Sequence, residues 1–413
     1  VTAVLSVFMA GLALGSHTIG KRVDALKRPL RFYGLLEIGI AVFAVLFLLL
    51  TKLYPYLYVP LARVAEENTL YLSFLRVLFA VVAMIVPTTL MGGTLPVLTR
   101  FASKHSGDIG IQLSFLYGFN TLGAVVGTLL AGFVLLSKYS VNGTSAIAIA
   151  TNASIGLVCI FLGKKAALAE VEGEGVARIP IPLPGKDVKD SGVEENGEPA
   201  LPVKLVLWGI GISGFCALGY EVLWTRVLSM VVGASVYSFT VMLVSFLTGI
   251  ALGSKAFGLF LKGFPGASRS PERSMILFGA VQVAIGLTAL VVTYYIRDLP
   301  SHSIRIQNYL FGTGLSEFEV RQGANFAIAF SHMFLPAFFM GVAFPLAGEI
   351  CANYRKSAGA AVGEVSAYNT VGAILGAGLS GFALIYLFGI ERSLQFLTLV
   401  NMGAGILIAI GAI

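Results

Sequence analysis

The chain has 413 residues, 57% apolar and only 12% charged, with a formal net charge of +7 and a mean hydropathy of +0.87. Soluble domains carry about 25% charged residues, so this composition excludes an ordinary soluble enzyme and places the chain in a lipid bilayer. Most basic residues lie in short loops between apolar runs, where they orient helices, and so do not mark a nucleic-acid partner. Cys159, Cys216 and Cys351 lie in or beside apolar runs without metal-ligand spacing, predicting no disulfide and no zinc.

Apolar runs of about 20 residues, enough to span roughly 30 Å of hydrocarbon as helix, are expected near 1–19, 31–52, 71–99, 111–137 and 143–163. The chain opens inside the first run with no basic flank or cleavage site, unlike a signal peptide. Glu37 lies two turns into the second run, and Arg76 near the outer end of the third. Pro87 and Pro96, nine apart around Met91-Gly92, predict a helix kinked or locally unwound, because proline removes a backbone donor and clashes with the preceding turn. Asn120-Thr121 follow in the fourth run; an amide in lipid staples helices or, second, contacts a ligand.

Residues 164–203, rich in Glu, Gly, Pro and Lys, predict a flexible cytoplasmic linker. Six further runs follow, near 204–228, 235–258, 274–296, 322–350, 360–387 and 392–413. Gly209 to Gly214 match the dinucleotide spacing G-x-G-x-x-G, but the run stays apolar through Tyr220 with no turn and no acid about 20 residues on, so close helix packing is the expected use. On the same helix, Glu221 is a costly intramembrane carboxylate. Tyr220 and Trp224, four apart, share a face and could hold a cation. The alternative is an interfacial Trp224, a snorkelling Arg226 and a Glu221 paired with another helix.

The second half repeats the first. Pro87, Met91, Gly92 and Pro96 recur 249 residues later as Pro336, Met340, Gly341 and Pro345, and Asn120, Thr121, Gly123, Ala124, Gly127, Gly132 and Phe133 as Asn369, Thr370, Gly372, Ala373, Gly376, Gly381 and Phe382. At an offset of 238, Gly11 to Ser16 match Gly249 to Ser254. Glu37 is answered by Gln282, Arg76 by Asn325, and His332 has only Ala83 opposite. The run at 204–228 maps upstream of Val1, which predicts one more N-terminal helix. The expected fold is all-α: a polytopic transmembrane bundle of two parallel pseudo-repeats of six helices, eleven of them present. The divisions are 1–163, 164–203 and 204–413. Basic loops at Gly20 to Pro29, Arg100 to Lys104, Lys262 to Arg273 and Arg355-Lys356 share one side, predicted cytoplasmic together with the linker and the C-terminus.

Tyr220-Glu221-x-x-Trp224-Thr225-Arg226, Phe246 to Ser254, Met340-Gly341 to Pro345, and Tyr368-Asn369-Thr370 to Gly381-Phe382 together resemble the membrane part of spermidine synthase-like fused proteins. In that family a major-facilitator-like helical region precedes a soluble aminopropyltransferase-type domain. The turn Gly20 to Pro29 is similar to the major-facilitator loop G-x-x-x-D-R-x-G-R-R, with Asp24 in the acidic place and Ala25 where arginine is expected. The resemblance implies a bacterial inner-membrane module that binds or moves a small cationic metabolite such as a polyamine, with Glu221, Tyr220, Trp224 and Glu37 as contacts and Asn120 and Asn369 nearby. Two other readings stand beside it: a scaffold subunit packed against partners of a larger membrane complex, and the anchor of an aminopropyltransferase whose catalytic domain is not in this chain. No cofactor or metal is expected.

Overall fold

The structure, a computed structural model, describes residues 2–63, 69–103, 109–171, 201–264, 270–355 and 357–412. Among them every regular element is helical, as a bilayer requires of a backbone that must satisfy its own hydrogen bonds. In chain order these are α1 (Thr2–Val23), α2 (Pro29–Arg63), α3 (Thr69–Ser103), α4 (Ile109–Leu129), α5 (Leu136–Val171), α6 (Leu201–Val232) and α7 (Val236–Gly263). They continue with α8 (Pro271–Tyr295), α9 (Leu299–Phe311), α10 (Glu317–Arg355), α11 (Ala358–Leu379) and α12 (Ile385–Ile410). Eight described helical stretches are long and apolar enough to cross a membrane. The chain is an integral membrane protein with a polytopic all-α fold.

Two of those stretches, Ile109–Lys164 with 56 residues and Ala358–Ile410 with 53, are too long for one crossing. At 1.5 Å per residue each would measure roughly 80 Å as a straight rod, against about 30 Å of hydrocarbon. Each is broken by one residue outside helical space, Ser140 (φ 58°, ψ −178°) and Gly389 (φ 71°, ψ 177°). These positions are 249 apart, and each follows a π-helical turn, Leu130–Leu135 and Ser380–Leu384. Glycine enters this backbone region freely, whereas serine carries a Cβ that clashes there, at a cost of about 1–3 kcal/mol.

Helix pairs meet through glycines. A Cβ on Gly15 would overlap the Thr89 carbonyl, and one on Gly92 the Leu12 carbonyl, joining α1 to α3. The matching positions join α7 to α10, where Gly253 meets the Phe338 carbonyl and Gly341 the Ile250 carbonyl. Gly34 and Gly156 bring α2 onto α5, as Gly279 and Gly405 bring α8 onto α12. The Gly209 to Gly214 run is continuous helix in α6. Its Gly209 faces Ile408 and Phe278, and its Gly214 faces Asn369, so these glycines serve packing.

Three loop expectations are corrected. Residues 53–63, which lie between two of the expected runs, continue α2 through Pro55 and Pro60. Residues 297–321 hold α9, an amphipathic helix started by Pro300, with Leu299 and Ser303 inward and Ile304 and Tyr309 exposed. The linker's ends join α5 as far as Val171 and α6 from Leu201, because the Lys164 to Val171 run consists largely of good helix formers; 172–200 lie outside the described residues. The helices run unbroken through Pro87, Pro96, Pro336 and Pro345, so there is no unwinding at these prolines.

Ser140→Gly is expected to raise unfolding stability in detergent by about 1 kcal/mol, since it relieves the strained φ without removing a packed side chain; an unchanged or lower midpoint would contradict the strain. Gly341→Ala is expected to destabilise by about 1–3 kcal/mol through overlap with Ile250. Gly378→Ala, with no atom within 4 Å of the new methyl, should be neutral or mildly stabilising in the same titration.

Candidate functional site

The helices before and after the linker meet along a seam where α1 packs on α11 and α4 on α7, with α3 beside α11 and α4 beside α10. On one side Gly20 and Gly363 oppose each other, a Cβ on either standing 2.8 Å from the other's Cα. The Ser16 hydroxyl lies 2.9 Å from both the Gly92 carbonyl, to which it donates, and the Ser366 hydroxyl. On the other side the Ser254 hydroxyl, Ser16's counterpart, donates to the Ser114 carbonyl at 2.8 Å. Tyr117 stacks on Phe344 with centroids 4.4 Å apart, and the Lys262 ammonium lies 4.4 Å from the Phe115 ring centroid.

Charge concentrates at the basic end of this seam. Asp24 follows α1, yet its carboxylate caps α11: it accepts from the Ser357 hydroxyl and, at 3.1 Å, from the Ala360 amide in the first turn. Ser357 is the α11 N-cap residue and makes no side-chain cap of its own. Arg100 of α3 holds Asp24 in place, its Nε 3.5 Å from Oδ1 and its Nη2 donating to the Asp24 carbonyl at 3.1 Å. A carboxylate at a helix N-terminus is favoured by orphan amides and by the helix dipole together. Further along α11, Glu364 pairs with Arg355 at 2.8 Å and lies within electrostatic reach of His17 and Lys21 of α1. Glu349 of α10 stands where Arg100 stands in α3 and presses on Gly110 in the first turn of α4. In the sequence Asp24 stands only as the acid of a loop motif, with no contact implied. The signal available was a lone acid in a turn holding Lys21, Arg22, Lys27 and Arg28.

Beside this end α1, α6 and α11 form an outward-open groove of about 640 Å³, lined by Ala10 and His17, Trp208 and Phe215, and Tyr368 and Val371, with Trp208 and Val371 66% and 50% exposed. Its walls are mainly apolar, and Trp208 meets Tyr368 edge to face at 6.2 Å.

The residues singled out in the sequence are scattered. Tyr220 and Trp224 share a face as expected, but they stack on each other at 5.0 Å inside the core, 0% and 1% exposed. The Tyr220 hydroxyl reaches Thr398 of α12 at 3.4 Å, and neither ring is open to a cation. Glu221, on the adjacent face of α6, is half-buried and has no hydrogen-bond or ion-pair partner among the described residues. Glu37 is buried where α2 meets α5, with Tyr33 one turn earlier as its side-chain partner and Cys159 nearby. The packing partners of α2 are α3 and α5, and those of α6 are α11, α12 and α10, so Glu37 and Glu221 are not brought together. Gln282 is fully buried and its carbonyl accepts from Asn401 at 3.2 Å. Asn369 is half-buried against α6, whereas Asn120 is exposed on α4. Arg76 is exposed and donates to the Tyr58 hydroxyl at 3.1 Å. His332 is buried with Nδ1 2.9 Å from the Ile328 carbonyl, and lines a separate cavity of about 430 Å³ with His302.

No family model matches the chain, and no curated protein matches it. Among solved structures, a crystal structure of the E. coli fucose:proton symporter FucP aligns over 100% of this chain and 98% of its own at 12% identity, with a TM-score of 0.44. Likeness at that level does not establish a shared fold.

Asp24→Asn keeps the shape of the cap but removes its charge, a loss of about 1 kcal/mol at a helix N-terminus. The reaction of a Ser366→Cys reporter with a membrane-impermeant maleimide added on the basic side is therefore expected to rise about fivefold in the Asp24→Asn background. An unchanged rate would show that Asp24 does not hold the seam closed.

Proposed function

We propose that this chain is a membrane transport module of major-facilitator type, in which two six-helix repeats rock about the α1–α11 and α4–α7 contacts. The observation that carries this reading is Asp24, a side chain from before the linker that caps a helix after it. A static scaffold has no need of a charged, solvent-breakable joint at one end of an otherwise glycine-packed seam. Support for the paired repeats comes from features present in both halves: the overlaps of Gly15 with Thr89 and of Gly253 with Phe338, and the breaks at Ser140 and Gly389.

In this reading the basic end is cytoplasmic, following the distribution of lysine and arginine in the loops. Closing it holds α1 against α11 beside the 640 Å³ groove, and rocking changes the width of that groove. The cargo is a small solute with an apolar stem and a positive charge. The groove supplies aromatic and aliphatic walls, and further along α6, outside the groove lining, Glu221 is the half-buried carboxylate, without a partner among the described residues, that a cation could satisfy. A polyamine fits this description, and the sequence resemblance favours it. Glu37 takes a structural part in this scheme, binding Tyr33 between α2 and α5.

Uptake of labelled spermidine into proteoliposomes tests the proposal. Glu221→Gln removes one charge-assisted contact worth about 1.5–3 kcal/mol, so uptake at low concentration is expected to fall roughly ten- to hundredfold. Glu37→Gln should leave uptake within about twofold, as a glutamine can still accept from Tyr33. Equal loss in both variants would move the site away from α6, and no saturable uptake of spermidine by the unmodified protein would remove the polyamine.

A further inference from the structure

Away from the seam, the groove between α8, α9 and α10 holds a buried histidine nitrogen that no described residue uses. Its walls include Leu287, Val291 and Tyr295 of α8, His302 of α9, and His332 and Leu335 of α10, around about 430 Å³, a volume in the range of small-molecule sites. The Leu287, Val291, Tyr295 and Leu335 side chains are each about half exposed, so the groove opens sideways, on the faces these helices turn to lipid. His332 closes its inner wall and is 7% exposed.

Two contacts assign the tautomer of His332. Its Nδ1 lies 2.9 Å from the Ile328 carbonyl, and a carbonyl only accepts, so Nδ1 carries the proton of the neutral ring. The Ser331 hydroxyl, 3.0 Å from the same nitrogen, donates to the Ile328 carbonyl at 2.9 Å and so leaves the Nδ1 proton where it is. Nε2 is then a bare lone pair. It is buried and has no hydrogen-bond partner among the described residues. An unmet buried acceptor costs about 1–3 kcal/mol, which a donor brought in from outside would recover. A second imidazole, His302, is half-buried on the same groove and within electrostatic reach of His332. No third His, Cys, Asp or Glu joins the two among the described residues, so they do not make a metal site. The equivalent position in the first half is Ala83, so this acceptor belongs to one half alone.

We propose that this groove binds a neutral, membrane-dissolved hydroxyl compound. Its O–H donates to Nε2 of His332, its oxygen accepts from the His302 ring, and its apolar body lies along Leu287, Val291 and Leu335. Anionic headgroups do not fit: an ionised carboxylate or phosphate has no proton to give the bare nitrogen, and no lysine or arginine lines the groove. A monoacylglycerol and an alkyl hydroquinone share the required chemistry, an O–H on an apolar body, and both partition into bilayers. The inference uses no step of the transport reading, and the groove is separate from the one beside the seam.

The test is photolabelling of the whole chain in liposomes with hexadecanol bearing a mid-chain diazirine, compared with the methyl ether of the same compound, which keeps the apolar body and has no proton to donate. The alcohol is expected to label peptides containing Val291 and Leu335 saturably, and about three- to tenfold more than the ether below saturation, the factor that one hydrogen bond supplies. His332→Leu should bring the alcohol down to the level of the ether, whereas His332→Gln, whose amide oxygen still accepts, should keep most of the difference. Competition by unlabelled monoacylglycerol or alkyl hydroquinone would support the site, and the stronger competitor would name the source of the hydroxyl. Equal labelling by alcohol and ether in the unmodified protein, a result that depends on no variant folding, would overturn the proposal, as would saturable labelling that misses both α8 and α10.

Discussion

The approach of one backbone to another across glycine is the constraint on which this structure depends. Lipid tails are as apolar as leucine, so burying leucine between helices gains little over leaving it in the membrane, and helices associate where their surfaces let atoms come close. In this chain the contacts of α1 with α3, α7 with α10, α6 with α11 and α8 with α12 all pass through positions where even a methyl group would meet a carbonyl oxygen. Among the described residues the glycines are thus contact surface more than flexible joints. Only a few serve conformation, Gly389 and Gly233 among them.

Polar groups then act where glycine leaves room. Ser16 and Ser254 sit beside the closest approaches and bind carbonyls across them. Asp24 and Arg100 form a joint between α1, α3 and α11 that is built from charge, at the end where water can reach it. A charged cap exposed to water is strong enough to set a preferred state and weak enough to be broken, because solvent competes for both partners. Deep in the seam the same groups would be costly to separate.

The two copies of each motif share backbone geometry but differ in side-chain chemistry. Arg100 reaches out to hold Asp24, while its counterpart Glu349 lies against α4 directly. Glu37 binds a tyrosine on its own helix, while its counterpart Gln282 is fully buried beside α12. Repetition therefore specifies which helices touch, and divergence at a handful of positions gives each side of the seam its own polarity.

Much of the architecture was legible in the order of residues. Composition and run length determined a helical membrane protein, since no other backbone arrangement with these segments survives in hydrocarbon, and the glycine spacing marked the faces that pack. The breaks near 140 and 389 followed from length alone. What the sequence could not assign was direction around each helix. Tyr220, Glu221 and Trp224 lie within five residues, yet two are sealed in the core and one has no partner among the described residues. Likewise Glu37 and Glu221 look equivalent as lone acids in apolar runs, and only the packing of α2 on α5 and of α6 on α11 separates them. Asp24 became a cap for α11 only when the fold brought residues 333 positions apart into contact. Local chemistry sets which segments enter the bilayer; the neighbours a side chain meets there depend on how helices rotate and pair, and that is decided by all of the close contacts at once.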